Sequence, residues 1–477
     1  MIFARVGILF GVLSSSGMME VARKGIFNPG AFYFDEIIFI FTAVMLTDIL
    51  LLDFFNTLGM PTSTTVSIVF ELLGAAVVTA LIKIISNGDA LGTISSYINT
   101  DKASQIILGI LLSILIAFSI GAFVQWISRL LIGHEFGKRT ISNTIFGGLA
   151  LSSITNFILI KGIKGTPFSD ATFTLLEGQT INAFIENFSL LVYLFGFVFW
   201  FFLSFLLIRF LKVDIYKVII AMGTFSLALA FAGNDLVNFI GVPIAAYQSY
   251  EAWVSSNLNA SEFTMDVLAQ KVPTPTLFLF GSGLVMILTL WFSSKAKKVV
   301  KTSIDLSNQF DTKERFNPNW LSRILVRGFI SLSLWSSQWL SQSQKEKIAE
   351  RFSSSEISKN LKSIAPAFDT LRASINLVVA ALLISWATSL KLPLSTTYVT
   401  FMVTMGSSLA DRAWGSDSAV YRVAGVLRVI SGWFFTAFMA FIVSGIIIYL
   451  IHLGGPVAIA IISVSYTHLT LPTNREV

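Results

Sequence analysis

The chain has 477 residues, 54% of them hydrophobic and only 13% charged, with a net charge of +6 and a mean hydropathy of +0.76. A soluble protein of this length carries roughly a quarter charged residues, so the composition indicates a polytopic membrane protein whose core is set by lipid and helix packing. The absence of cysteine excludes disulfides, thiolate metal sites and a cysteine nucleophile, and three scattered histidines (His134, His452, His468) exclude a histidine metal site.

The first apolar run, roughly 1–19, barely reaches the ~20 residues that a span requires. Apolar segments 36–58 and 63–86 follow, separated by Gly59-Met60-Pro61-Thr62-Ser63-Thr64-Thr65, and form either two spans or a re-entrant hairpin. Further spans are predicted near 105–132, 142–162, 187–210, 217–246 and 274–294. A polar insertion, 295–363, holds 13 Lys/Arg against 6 Asp/Glu, so the positive balance belongs to one loop and is no nucleic-acid signal. Its stretch Trp320–Leu340 is either an interfacial amphipathic helix or part of a solvated loop. Segments 366–390 and 394–411 follow, split by Leu392-Pro393-Leu394-Ser395-Thr396-Thr397, and a last span lies near 424–452.

Loop charge orients these spans. His134, Lys138, Arg139, Lys212, Lys217, the 295–363 insertion, Arg412 and Arg422 fall on one side, which the positive-inside rule makes cytoplasmic. Asp89, Asp101, Asp170, Glu177, Glu186, Glu251, Glu262 and Asp266 fall on the other, with Arg23 and Lys24 against the trend. The first broken pair then opens outward and the second inward, the arrangement of an inverted-topology repeat.

Each proline biases its preceding residue away from helix and donates no N–H, so each marks a break. The hydroxyl triplets Ser63, Thr64, Thr65 and Ser395, Thr396, Thr397 then open new helices whose first N–H groups lack intrahelical partners, a setting suited to an anion. The competing reading is helix capping without a ligand, which two triplets in matching settings make the weaker of the two. Between them Asn234, Asp235 and Asn238 interrupt an apolar run. A carboxylate in hydrocarbon costs at least ~2.5 kcal/mol, so such residues mark either an ion path or a structural hydrogen-bond cluster. Gly233 and Gly241 would let this helix break or approach a neighbour closely, and one carboxylate, amide carbonyls and freed backbone carbonyls would give a hard-oxygen set suited to Na⁺. Asp48, Asp53, Asn56 and Glu71 flank the first motif; Asp53, Asn56 and Glu71 are candidate coupling residues.

A Gly-Asn-Asp-x-x-Asn helix combined with two Pro-x-Ser-Thr-Thr breaks resembles the inorganic phosphate transporter (PiT) family over most of 1–462. The resemblance implies an all-α fold of two inverted-topology repeats whose broken hairpins meet at midplane. It also implies phosphate oxygens on the six hydroxyls and cations near Asn234, Asp235 and Asn238. The matching positions are Gly233, Asn234, Asp235 and Asn238, then Pro61, Ser63, Thr64 and Thr65, then Pro393, Ser395, Thr396 and Thr397.

Three departures stand out. No first-repeat Gly-Ala-Asn-Asp helix precedes the first hairpin in residues 1–52, which is the expectation for an N-terminally truncated fragment. Val66 and Tyr398 replace the histidine that many members carry after each triplet, and Phe70-Glu71 replaces small residues, as in a divergent bacterial branch. The tail from Ser465 to Val477 resembles translated adapter sequence and is set aside as non-native.

The expected organisation is a first repeat over 1–163 with its hairpin at 36–86, a connecting span over 164–216, and a second repeat over 217–462. The second repeat contains the hairpin at 366–411 and the 295–363 loop, and 463–477 is the tail. The expected function is phosphate uptake by symport with Na⁺ or H⁺ across the inner cell membrane. No cofactor, catalytic residue or resident metal is called for. The partners are phosphate, the coupling cation and the lipid bilayer, not nucleic acid, with room for a homo-oligomer. The alternatives are a sulfate or other oxyanion permease of the same fold and a membrane-embedded enzyme; no loop rich in Asp and His supplies the latter with a metal cluster.

Overall fold

In a computed structural model the apolar runs form helices; the structure describes residues 2–13, 25–133, 140–163, 171–172, 178–270, 275–295, 297–298, 301, 317–352, 369–389, 394–412 and 416–470. In chain order these are α1 (Ile2–Leu13), α2 (Phe34–Thr57), α3 (Thr64–Asn87), α4 (Thr100–Ile132), α5 (Thr140–Ile163), α6 (Ile181–Asn187) and α7 (Ser189–Arg209). The series continues with α8 (Ile215–Ser256), α9 (Thr276–Phe292), α10 (Trp320–Gln338), α11 (Gln342–Phe352), α12 (Thr370–Ser389), α13 (Thr396–Ala410) and α14 (Ser416–Thr470). Among the described residues there is no strand beyond isolated bridges, and seven helices are long and apolar enough to cross a membrane: α2, α3, α4, α7, α8, α12 and α14.

Most expected spans reappear with shifted ends, and two differ in kind. The break expected at Gly233 or Gly241 is absent, because α8 stays helical through both and even past Pro243. Neighbouring helices on several sides support it, which is how interior glycine and proline are tolerated in membrane helices. The span expected at 424–452 extends over 416–470, with a kink at Gly455 (φ 54°) just before Pro456. Pro393, Arg23, Lys24, His134, Lys138, Arg139, Asp170, Glu177 and residues 471–477 lie outside the described residues, whereas Ser465–Thr470 continue α14.

The helix α8 runs through the middle of the molecule, against α1, α2, α3, α5 and α12. Around it two hairpins exchange partners. The second arm of the first hairpin, α3, packs along α14, and the second arm of the other, α13, packs along α4. Each arm therefore lies on the helix that follows the opposite hairpin. Both contacts use a glycine at the same register, Gly74 eleven residues after Ser63 and Gly406 eleven residues after Ser395. A Cβ on Gly74 would overlap the Phe441 carbonyl of α14, and one on Gly406 would overlap the Phe118 carbonyl of α4. Without water between them, membrane helices associate through such backbone approach. The arms differ in length: α2 and α3 have 24 residues each, about 36 Å, whereas α13 has 15, about 22 Å, and is short of a hydrocarbon core.

Backbone bonds tie loop segments together at one end of the helices. At one end Phe34 donates its N–H to the Phe263 carbonyl, Met265 to Phe32, and Asn28 to Tyr97. At the other, α4 meets both feet of the second hairpin. The stretch around Trp320 is helical, with a largely uncovered apolar face (Trp320 76% and Trp335 59% exposed), and it packs beside α14.

One side chain pins those feet. Arg129, on the last turn of α4, is fully buried. Its Nε donates to Asp411 Oδ1 at 2.5 Å, its Nη2 to Asp411 Oδ2 at 2.7 Å and also to Asp369, and its Nη1 to the Gly133 carbonyl at 3.1 Å. Asp411 closes α13, while Asp369 precedes α12 and accepts the Arg372 N–H at 2.8 Å. Burial opposes charge on Asp369, but the Arg129 guanidinium, the Arg372 N–H and the Arg372 charge outweigh it and hold the carboxyl below its ordinary value. A value depressed by folding means that this contribution is complete above about pH 4 and is lost as the pH falls through the folded-state value.

Replacing Arg129 with Ala takes the paired cation from buried Asp411 and half-buried Asp369 and is expected to cost about 3–5 kcal/mol, read as a lower apparent Tm in detergent. Asp369→Asn should also lower Tm at neutral pH and lose less than wild type on acidification below about pH 4. An unchanged Tm in the Arg129 variant would contradict the pinning role.

Candidate functional site

The first break is built locally. The α2 helix ends at Thr57, and Gly59 takes a left-handed φ of 68°, which lets the chain turn away before Pro61. Ser63 is extended (φ −110°, ψ 118°), and its hydroxyl accepts the Val66 N–H at 3.2 Å as the N-cap of α3. The second break repeats this chemistry: Ser395 is extended, and its hydroxyl accepts the Tyr398 N–H at 3.1 Å as the N-cap of α13. Trp433 of α14 joins the two, donating from Nε1 to the Pro61 carbonyl at 2.8 Å while its ring stacks on Tyr398 with centroids 3.7 Å apart.

The breaks then meet each other and the polar face of α8. Thr65, behind the first cap, donates its hydroxyl to the Leu394 carbonyl at the second break, 3.2 Å away. The same carbonyl accepts Asn234 Nδ2 at 2.9 Å, and that amide also reaches Asp235 Oδ1 at 3.1 Å. Asn238 Nδ2 donates to Thr65 Oγ1 at 2.7 Å and lies 3.5 Å from Thr64 Oγ1. Thr396 donates its hydroxyl to Asp235 Oδ2 at 2.5 Å. Asn234, Asp235, Asn238, Ser63, Thr65, Ser395 and Thr396 are all buried, and Asn234 Oδ1 has no partner. A buried acceptor left open is costly, and it leaves the junction one oxygen short of satisfaction.

Not every expected residue takes part. Thr64 and Thr397 are half-buried in the first turns of their helices, and Ser63 and Ser395 spend their oxygens on caps. Asp53 is ion-paired with Lys295, away from the junction, and Asn56 is half-buried, with its carbonyl accepting the Gly59 N–H at 3.1 Å. Glu71 sits two turns along α3 from the triplet, fully buried, where it accepts the Ser67 hydroxyl at 2.5 Å. Arg372 and Asn376 belong to the second hairpin: Arg372 caps onto Asp369, and the Asn376 carbonyl oxygen accepts the Ser407 hydroxyl at 2.6 Å. Two contributors escaped the sequence reading. Trp433 looked like one more aromatic in an apolar span, with only Gly432 beside it as a signal. The Leu394 carbonyl is backbone, so no side chain announces it.

Because α8 is unbroken, the freed carbonyls expected on it are replaced by one carbonyl from the second break. Hydroxyl donors at two helix N-termini suit a tetrahedral oxyanion, and the carboxylate, amide and backbone oxygens nearby suit a small hard cation. Trp433→Phe keeps the stack on Tyr398 but orphans the Pro61 carbonyl, and is expected to cost about 1–3 kcal/mol in thermal unfolding.

The model of the phosphate transporter family matches residues 1–303. No curated protein matches the chain in sequence. A solved structure titled "The sodium-dependent phosphate transporter" is similar in fold, with a TM-score of 0.60 and 16% identity over 95% of this chain and 89% of that one. With well over half of its residues matched by the family model, the chain belongs to the phosphate transporter family and is a multi-pass membrane transporter rather than an enzyme.

Proposed function

We propose that the chain takes up inorganic phosphate by symport with Na⁺ across the inner cell membrane, using the junction of the two breaks as its binding site. The observation that carries this reading is the convergence of both hydroxyl-bearing helix starts on Asn234, Asp235 and Asn238 through Thr65, the Leu394 carbonyl and Thr396. Phosphate oxygens take hydroxyls and N–H groups of Ser63, Thr64, Thr65, Ser395, Thr396 and Thr397, while the cation sits against Asn234, Asp235 and Asn238. The open Asn234 Oδ1 supports a cation there, because it is an oxygen with no donor to satisfy it.

Coupling follows from charge. An ionised Asp235 about 5 Å from bound phosphate would oppose it by about 3 kcal/mol at an effective dielectric of about 20. A cation on Asp235 removes that opposition, so cation and anion favour one another in the same site. The partner exchange of α3 with α14 and of α13 with α4, with its matched glycines, supports two inverted repeats that rock about this point.

The test is radiolabelled phosphate uptake into liposomes with Na⁺ replaced by choline and with sulfate as competitor. Uptake should require Na⁺ and resist sulfate, and Asp235→Ala should fall to background. Wild-type uptake in that variant would overturn the assignment, and equal competition by sulfate would make the chain a general oxyanion permease.

A further inference from the structure

A second buried acidic site lies on the first hairpin, off the phosphate junction. Asp48 of α2 and Glu71 of α3 are 3% and 0% exposed, on two helices that pack against each other. Asp48 lies nine residues before the end of α2 at Thr57 and Glu71 seven residues after the start of α3 at Thr64, within one helical turn of the same height on the two arms. Ser67 donates its hydroxyl to Glu71 Oε1 at 2.5 Å, whereas Glu71 Oε2 and Asp48 Oδ1 are buried with no partner. On the α14 side Ser444 donates to the Glu71 backbone carbonyl at 2.9 Å, and the close approach of Gly74 to Phe441 seals that flank.

Among the described residues no positive side chain pairs with either carboxyl. The other charges of α2 and α3 are engaged elsewhere, Lys83 with Glu36, Asp53 with Lys295, and Asp35 in the first turn of α2, where it accepts the Glu36 N–H at 2.9 Å. On α14, His452 and Arg428 stand about 12 Å and 24 Å along the axis from Ser444. On α8, Asp235 takes the Thr396 hydroxyl, and Asp214, Lys217 and Glu251 lie towards its two ends. Two carboxylates sharing a buried site cannot both ionise without a counter-charge. Six-coordinate Na⁺ would need several more oxygens than two carboxyl groups and one already committed hydroxyl offer, whereas a proton needs only an acceptor on either side.

We propose that Asp48 and Glu71 form a proton-binding dyad, a second cation site that loads and releases one proton as the first hairpin moves during transport. One carboxyl carries the proton and donates it to the other, which stays anionic and accepts. The proton arrives from water on one side of the membrane and departs to water on the other, with no other bond made or broken. The coupling role rests on the transport reading above, but the protonation itself does not.

The protonation is read without transport, by infrared difference spectroscopy of the full chain in liposomes. Wild type should show the carbonyl stretch of a protonated carboxylic acid that shifts in D2O and changes with pH. The conservative double variant Asp48→Asn/Glu71→Gln should lose it. Retention of that band by the double variant, a band that does not change with pH, or its removal by Na⁺ but not choline would each overturn the dyad. The coupling is read from phosphate uptake driven by an inward proton gradient at constant Na⁺. The gradient should accelerate wild type and have no effect on the double variant, while Na⁺-dependent phosphate binding persists. An undiminished gradient response in the variant would overturn the proposal, whereas loss of phosphate binding in wild type itself would overturn only the transport reading.

Discussion

The carbonyl of Leu394 is where the structure holds together. A helix broken inside a membrane leaves backbone groups that lipid cannot satisfy, each at a cost of several kcal/mol. Here one break satisfies the other: the Thr65 hydroxyl from the first reaches the Leu394 carbonyl of the second, and Asn234 of α8 reaches the same oxygen. Trp433 does the corresponding work for the Pro61 carbonyl while it stacks on Tyr398. The breaks are therefore tolerable only as a pair, and only beside a polar helix. Stability and function draw on the same groups, since the oxygens that close the junction are those proposed to hold ions.

The surrounding packing follows from the need to bring both breaks to one point. Gly74 and Gly406 let α3 and α13 approach α14 and α4 until backbone touches backbone, which fixes the height of each helix start. Arg129 then fastens the feet of the second hairpin through Asp369 and Asp411, so α13 is held at both ends even though it is too short to cross a membrane alone. The first hairpin has longer arms and carries two unpaired buried carboxyls where the second carries a satisfied ion pair. That asymmetry puts a cost on one hairpin and a clasp on the other, and it is the physical ground for assigning them different work.

Much of this was legible beforehand because membrane insertion writes itself into composition. Apolar runs gave the helices, the two prolines gave the breaks, and the paired Ser-Thr-Thr triplets with Asn234, Asp235 and Asn238 gave the residues of the junction. The reading went astray where neighbours override local preference. Gly233 and Gly241 allowed a broken helix, yet α8 is continuous because helices around it support the backbone. Asp53 and Asn56 shared a helix face with the right spacing, but Asp53 is ion-paired with Lys295. The register shared by Gly74 and Gly406 was present in the sequence, and it became meaningful only when each met a carbonyl from the opposite half.

By itself, then, the sequence determined a many-span helical membrane protein, the positions of its two helix breaks and the polar residues that stand at and between them, since these depend on local chemistry and hydropathy. Only the tertiary structure decided that the breaks close on one carbonyl, that Ser63 and Ser395 act as caps while Thr65 and Thr396 bridge to α8, and that Asp48 and Glu71 are buried with a carboxyl oxygen each left without a hydrogen-bond partner. Those outcomes depend on contacts between residues up to hundreds of positions apart, and no local preference encodes them.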